Sequence, residues 1–174
     1  GVYDVFLHHG WVNKLAEGKI FPNGIYPEGM HCFIYCLYAL FGIRIYSSML
    51  YLQSIHIAVF FLSAYVLLRE VFHWRYSPIF VLCLYAVLDI FGGHSMYRLP
   101  LTLPMEFGLH TQFLCGAYFA RYMKKTGPEQ GKRTDLFLFA MALAASIASH
   151  YYTTIMAFIV CVAFTFIYIK KLFR

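Results

Sequence analysis

Apolar positions gather along the chain into long runs separated by short polar and basic clusters. Five runs approach the roughly 20 residues that a bilayer crossing needs: Tyr46–Phe72, Ser77–Phe91, Pro104–Met123, Asp135–Ser149 and Tyr151–Ile169. Each is predicted to be helical, because lipid offers no partner for exposed backbone groups. A sixth run, Met30–Ile43, is short and suits either a thin span or a helix lying in the interface. Asp135–Ile169 has to hold two short crossings that turn near Ser149-His150-Tyr151. A single long tilted helix there would strand Lys170, Lys171 and Arg174 on the wrong side.

Ahead of these runs the pattern changes. Asp4, His8, Trp11, Val12 and Leu15 recur at helical spacing, so Asp4 and His8 share a face with Trp11. Gly18 stops that helix, predicted over Val5–Glu17, and Phe21-Pro22-Asn23-Gly24 reads as a turn. Tyr26-Pro27-Glu28-Gly29 restarts a helix that runs through Met30–Phe41 and ends at Gly42. The expected fold is therefore all-α, a polytopic integral membrane helical bundle of about five spans. Residues 1–45 form an external loop of two juxtamembrane helices, and residues 46–174 form one transmembrane bundle.

Composition narrows the class. Of the 174 residues 61% are hydrophobic and 13% charged, against about 25% charged in soluble domains. So few charges cannot cover a water-facing surface, which excludes a soluble enzyme, a disordered chain, a coiled coil and a disulfide scaffold. The 20% of aromatic residues fits a chain that meets the lipid–water boundary, where amphipathic rings concentrate. Cys32, Cys36, Cys83, Cys115 and Cys161 read as small packing residues, since no second thiol pair completes a zinc site. The opening Gly1-Val2-Tyr3 and the lack of a basic segment before a short apolar stretch suggest an internal piece of a longer membrane protein.

The net charge of +6 does not point to nucleic acid, because the bases are scattered between apolar runs. If Met30–Ile43 does not cross, ten of the fourteen bases fall on one side, from Arg69 and Arg75 through Arg121–Arg133 to Lys170–Arg174. Lys14, Lys19, Arg44 and Arg98 lie opposite, with Asp4, Glu17, Glu28, Asp89 and Glu106. On that placement the excess of bases marks the cytoplasmic side, and the N-terminal loop lies on the external or lumenal face of a plasma or endoplasmic reticulum membrane. If Met30–Ile43 crossed, residues 1–28 would be cytoplasmic, which the charge rule also tolerates.

Two juxtamembrane helices with an Asp on the first, a Pro-containing segment, then Leu40-Phe41-Gly42 and a long span ending in Arg69 and Phe72 make a recognisable order. The stretch YPEGMHCFIYCLYALFGIRIYSSMLYLQSIHIAVFFLSAYVLLREVF carries it. It resembles the first external loop of the GT-C membrane glycosyltransferases: the protein O-mannosyltransferases, the lipid A aminoarabinose transferases and the oligosaccharyltransferase catalytic subunits. The resemblance covers roughly residues 1–75 and favours the placement in which Met30–Ile43 does not cross. It departs from the mannosyltransferases in having a lone Asp4 followed by Val5, where they carry an acidic pair. The WWDYG-type signature of the oligosaccharyltransferases and the first span are absent.

The resemblance implies transfer of a sugar from a polyprenyl-phosphate carrier to a protein, lipid or glycan acceptor on the external face. Such a reaction requires a base, positive charge or metal at the leaving phosphate, and a groove open to lipid. Asp4 is the candidate base, with a helix N-cap as its alternative role. Arg98, the one base in the loop between Gly92 and Pro104, suits a bidentate phosphate contact or an interfacial snorkel. His8, Glu28, His31 and His150 are candidates for substrate contact, although Glu28 and His31 also suit the helix start. Glu106 and His110 share a face of one span. With Asp4 and His8 they could ligate a divalent cation, Mn²⁺, Mg²⁺ or Zn²⁺, or else bond one another and the loop backbone. His56 and Gln53, deep in the first span and one turn apart, suit a packing hydrogen bond. A transporter or channel subunit and a non-catalytic scaffold are the competing classes.

Overall fold

Among the described residues seven helices form, six of them where the apolar runs lie: α1 (Val2–Ala16), α2 (Gly29–Phe41), α3 (Ile45–Val71), α4 (Ser77–Gly92), α5 (Pro104–Lys124), α6 (Gln130–Ser149) and α7 (Tyr151–Leu172). The computed structural model describes residues 2–22, 24–92, 101–124 and 130–172, and among these it contains no strand. Gly42 ends α2 in the left-handed region (φ 67°), where its N–H reaches back to the Tyr38 carbonyl, a conformation that costs a side-chain-bearing residue more. The start of α1 differs from the sequence expectation. The helix begins at Val2, so Asp4 sits inside its first turn and is not an N-cap. There it still faces the positive end of the helix dipole.

Side-chain contacts fix the helix directions. Phe60 of α3 meets Phe113 of α5 with ring centroids 5.4 Å apart, and Glu70 meets Arg121 at 2.7 Å, so α3 and α5 run the same way. Tyr85 of α4 packs near Phe60 at 6.1 Å, while Val81 faces Leu67 and Leu68, so α4 runs back. Phe139 of α6 lies 5.3 Å from Phe119, whereas Ser149 lies by Gly108, so α6 opposes α5. Thr153 beside Gly108 and Val160 beside Gly116 make α7 parallel to α5. Helices α3 to α7 thus alternate in direction, and α6 and α7 form a hairpin that turns at His150.

α3 and α7 are long and apolar enough to cross a membrane, over Ile45–Val71 and Tyr151–Ile169; only 28% and 22% of their most apolar windows are buried inside the fold. The core helix of a soluble protein would be mostly enclosed. α5 has the reverse character. It is sheathed by α3, α6 and α7 and buries Glu106, Thr111 and Gln112 among its neighbours. Close approach is possible because its contact stripe is small: Gly108, Cys115, Gly116, Ala117 and Ala120. A Cβ at Gly116 would lie 2.6 Å from Val160 Cγ1 and 3.1 Å from Leu67 Cδ1.

The far end of the bundle holds Arg69, Arg75, Arg121, Lys124 and Arg133. Glu70 of α3 there accepts hydrogen bonds from Arg121 Nε (2.7 Å) and Lys124 Nζ (2.9 Å), clamping α3 to α5. At the other end α1 and α2 form a separate layer. Val12, Met30 and Ile34 are fully buried against Ile45, Met49 and Leu52. α2 rests on α3, α5 and α6 and leaves Leu40 and Phe41 exposed.

Gly116→Leu should lower the midpoint of thermal unfolding in detergent, by the equivalent of about 1–3 kcal/mol for overpacking a filled interface. An unchanged midpoint would mean that α5, α3 and α7 do not approach this closely.

Candidate functional site

Where the α1–α2 layer meets the α6–α7 turn, the packing side chains are aromatic and titratable. Gly29 opens α2 directly on the end of α6: a Cβ there would lie 2.6 Å from the Ala148 carbonyl oxygen. That approach carries Tyr26 to within 5.7 Å of the His150 ring. The Tyr151 hydroxyl completes the seam by donating to the Ile25 carbonyl. Tyr26 also stacks near Trp11 (5.4 Å), His8 (5.8 Å) and His31 (6.2 Å). It is the hub of the cluster.

His8 and His31 face each other from α1 and α2, with His8 Nδ1 2.9 Å from His31 Nε2. Trp11 packs edge-on against His8 at 4.6 Å. Burial lowers the His8 pKa to about 4; the Asp4 charge opposes that shift and His150 reinforces it. Burial and then the neighbouring His8 lower His31 to about 4 as well. Burial also lowers His150. At neutral pH the imidazoles are therefore uncharged, and one N–H lies between His8 and His31. His31 Nδ1 is buried without a hydrogen-bond partner, a cost of about 1–3 kcal/mol that a folded protein tolerates at few places.

Two acids act on the same cluster. Burial raises the Tyr26 hydroxyl pKa, and the charges of Glu106 and Asp4 raise it further. Glu106 lies in the first turn of α5 and is 1% exposed; Asp4 is exposed. The structure thus gathers Asp4, His8, His31, His150 and Glu106 around Tyr26. Tyr26 and Trp11 were not candidates in the sequence, where Tyr26-Pro27 reads only as a helix start. The available signal was the tight run of Tyr26, Gly29 and His31, one residue type each for stacking, close approach and polarity.

Glu28 stands at the N-cap position of α2 by backbone geometry, but its side chain makes no capping bond. Burial raises its pKa, against a hydrogen bond to the Phe21 backbone. Arg98, the expected phosphate contact, lies outside the described residues, as does His94.

His110 is placed elsewhere than expected. Its ring meets His56 at 5.9 Å and Phe107 at 5.5 Å. His56 and His110 share the wall of a cavity of about 230 Å³ with Phe33, Leu52, Ile55 and Phe107. His56 Nε2 and His110 Nδ1 are buried without partners, and Gln53, instead of bonding His56, lines a second cavity of about 320 Å³ with His9, Val5 and Tyr46. The four residues expected to share a cation therefore fall into two neighbourhoods. Among the described residues no three His, Cys, Asp or Glu side chains gather closely enough to hold a metal ion.

No known protein family matches the chain, and neither a curated protein nor a solved structure is similar to it.

The imidazoles make the layer acid-sensitive. His8 and His31 titrate near 6.5 when unfolded and near 4 when folded, so between those values the unfolded state binds more protons. Stability is full above about pH 6.5 and falls as pH drops toward 4. In Trp74→Phe protein, where Trp11 is the remaining tryptophan, Trp11 emission should move to longer wavelength across that window. A His31→Ala chain should lose part of the transition, and a spectrum constant from pH 7 to 4 would contradict the neutral pair.

Proposed function

We propose that this chain is part of a polytopic membrane protein in which α3 to α7 make five crossings, and that it acts as a GT-C-like glycosyltransferase. The two long apolar helices, the alternating directions of α3–α7 and the excess of bases at one end support the embedding. In this reading the α1–α2 layer faces the exterior or lumen. The observation that carries the reading is the gathering of Asp4, Glu106 and three neutral histidines around Tyr26, at the end opposite Arg69, Arg75, Arg121 and Lys124.

Asp4, exposed at the rim of the layer, takes the proton of an acceptor hydroxyl. The acceptor oxygen attacks the anomeric carbon of a polyprenyl-phosphate sugar from the side opposite the phosphate. The new glycosidic bond forms as the carbon–oxygen bond to phosphate breaks, the polyprenyl phosphate leaves with that electron pair, and the configuration inverts. His8, His31 and Tyr26 are uncharged donors and acceptors suited to orienting sugar hydroxyls, with Glu28 and His150 at the edges of the same layer. Arg98 is proposed as the phosphate contact. The cavity beside α1, lined by Val5, Phe6, His9 and Tyr46, is apolar and adjoins Asp4 along the helix.

A transporter is the second reading, favoured by His56 and His110. Ionisable side chains enclosed in a membrane bundle often lie on ion or proton paths.

Asp4→Asn should reduce sugar transfer from polyprenyl-phosphate donors by about 10²-fold or more, the usual worth of a positioned base, without changing the thermal midpoint. Arg98→Ala should raise the donor concentration needed for half-maximal rate. Wild-type transfer by both variants would sink the mechanism. Proton-coupled uptake into vesicles that is abolished by His110→Ala would favour the second reading.

A further inference from the structure

The turn that joins α3 to α4 is exposed along its whole length, Phe72-His73-Trp74-Arg75-Tyr76. Trp74 is 66% and Tyr76 56% exposed, yet the segment is ordered by its own contacts. The two rings meet edge-on at 5.9 Å, and the Arg75 guanidinium lies 5.7 Å from the centre of the Tyr76 ring. Arg69 is exposed on the last turn of α3.

Among the described residues the charge here is uncompensated. No Asp or Glu occurs from residue 71 to residue 88. Glu70, the adjacent acid, is already occupied by Arg121 and Lys124 from α5. Among the described residues no carboxylate pairs with Arg69 or Arg75. Immediately beyond the turn the surface becomes apolar, with Ile79 and Phe80 of α4 exposed. A partner for this edge must therefore present negative charge directly beside hydrocarbon. An acidic protein surface offers the first without the second, whereas an anionic phospholipid offers both.

We propose that the α3–α4 turn is a binding site for the headgroup phosphates of anionic phospholipids. Arg69 and Arg75 contact the phosphate, where guanidinium forks match its oxygens, and Trp74 and Tyr76 seat at headgroup level. This rests on the membrane embedding proposed above and adds to it a lipid preference at one named edge. Glu70 contributes indirectly: held by α5, it leaves the two arginines free to act outward.

The test uses the full chain in vesicles of phosphatidylcholine alone and with one third phosphatidylglycerol. The Trp74 signal is the difference between wild-type and Trp74→Phe spectra. Trp74 emission should shift to shorter wavelength as phosphatidylglycerol is added. Arg69→Gln/Arg75→Gln should raise the fraction needed for half the shift by about tenfold, while its emission in pure phosphatidylcholine stays unchanged. Identical Trp74 emission in both lipids, with the protein floating with the vesicles, would overturn the lipid site and leave the embedding intact. Failure to float with either vesicle would overturn both. A full shift produced by soluble polyglutamate without phosphatidylglycerol would overturn the lipid site in favour of an acidic protein partner.

Discussion

The close packing of α5 against α7, α3 and α6 is the contact on which the rest of the molecule depends. α5 buries a carboxyl, an amide and a hydroxyl among its neighbours, and burying such groups is costly unless they are enclosed with suitable company. Enclosure demands that three helices come close at once. Large side chains at residues 108 and 116 would hold them apart, since even a Cβ at Gly108 would lie 2.7 Å from Thr153 Oγ1. With small residues there, the helices interlock, Cys115 packs between Ala142 and Ala157, and the outward surfaces of α3 and α7 are left to large apolar side chains.

The position of α5 then sets both ends. At one end Arg121 and Lys124 reach Glu70 and tie the helix to α3. At the other, the first turn of α5 presents Glu106 beneath the α1–α2 layer, close enough to act on Tyr26. The layer is itself pinned by Gly29 on Ala148. A carboxylate, a phenol and neutral imidazoles are thereby brought together by helices that are distant in the chain. In the proposed reading this makes a polar floor under an acceptor site whose base stands at the rim on α1.

Much of this was legible from residue order. The six apolar runs became helices α2 to α7, the break at His150 falls where the turn was expected, and the helix pair α1 and α2 forms with Gly42 as the stop of α2. The charge sorting agrees with the observed directions, because Arg69, Arg75, Arg121, Lys124 and Arg133 all lie at one end. Asp4 and His8 do share a neighbourhood, as their spacing implied. The alternative role of Asp4 as an N-cap does not hold, because Asp4 lies within α1 (Val2–Ala16); helix ends read from residue order shift by a residue or two. Among the described residues α3 and α7 carry the length and apolarity of a span on their own, so the expected five crossings stand as a proposal; α5 is shielded by its neighbours.

Hydrophobic periodicity determined the all-helical class, the order of the elements and which ends carry charge, because these depend on residues a few positions apart. It could not determine that His110 would meet His56 while the charge of Glu106 acts on Tyr26, although the two are one turn apart on one helix. Nor could it show that Tyr26 would stand between His8 and His150, residues separated by most of the chain. Those outcomes depend on how closely and at what height the helices pack. That is decided by the fit of small residues such as Gly29, Gly108 and Gly116 against partners far away in sequence, which only the folded bundle brings into contact.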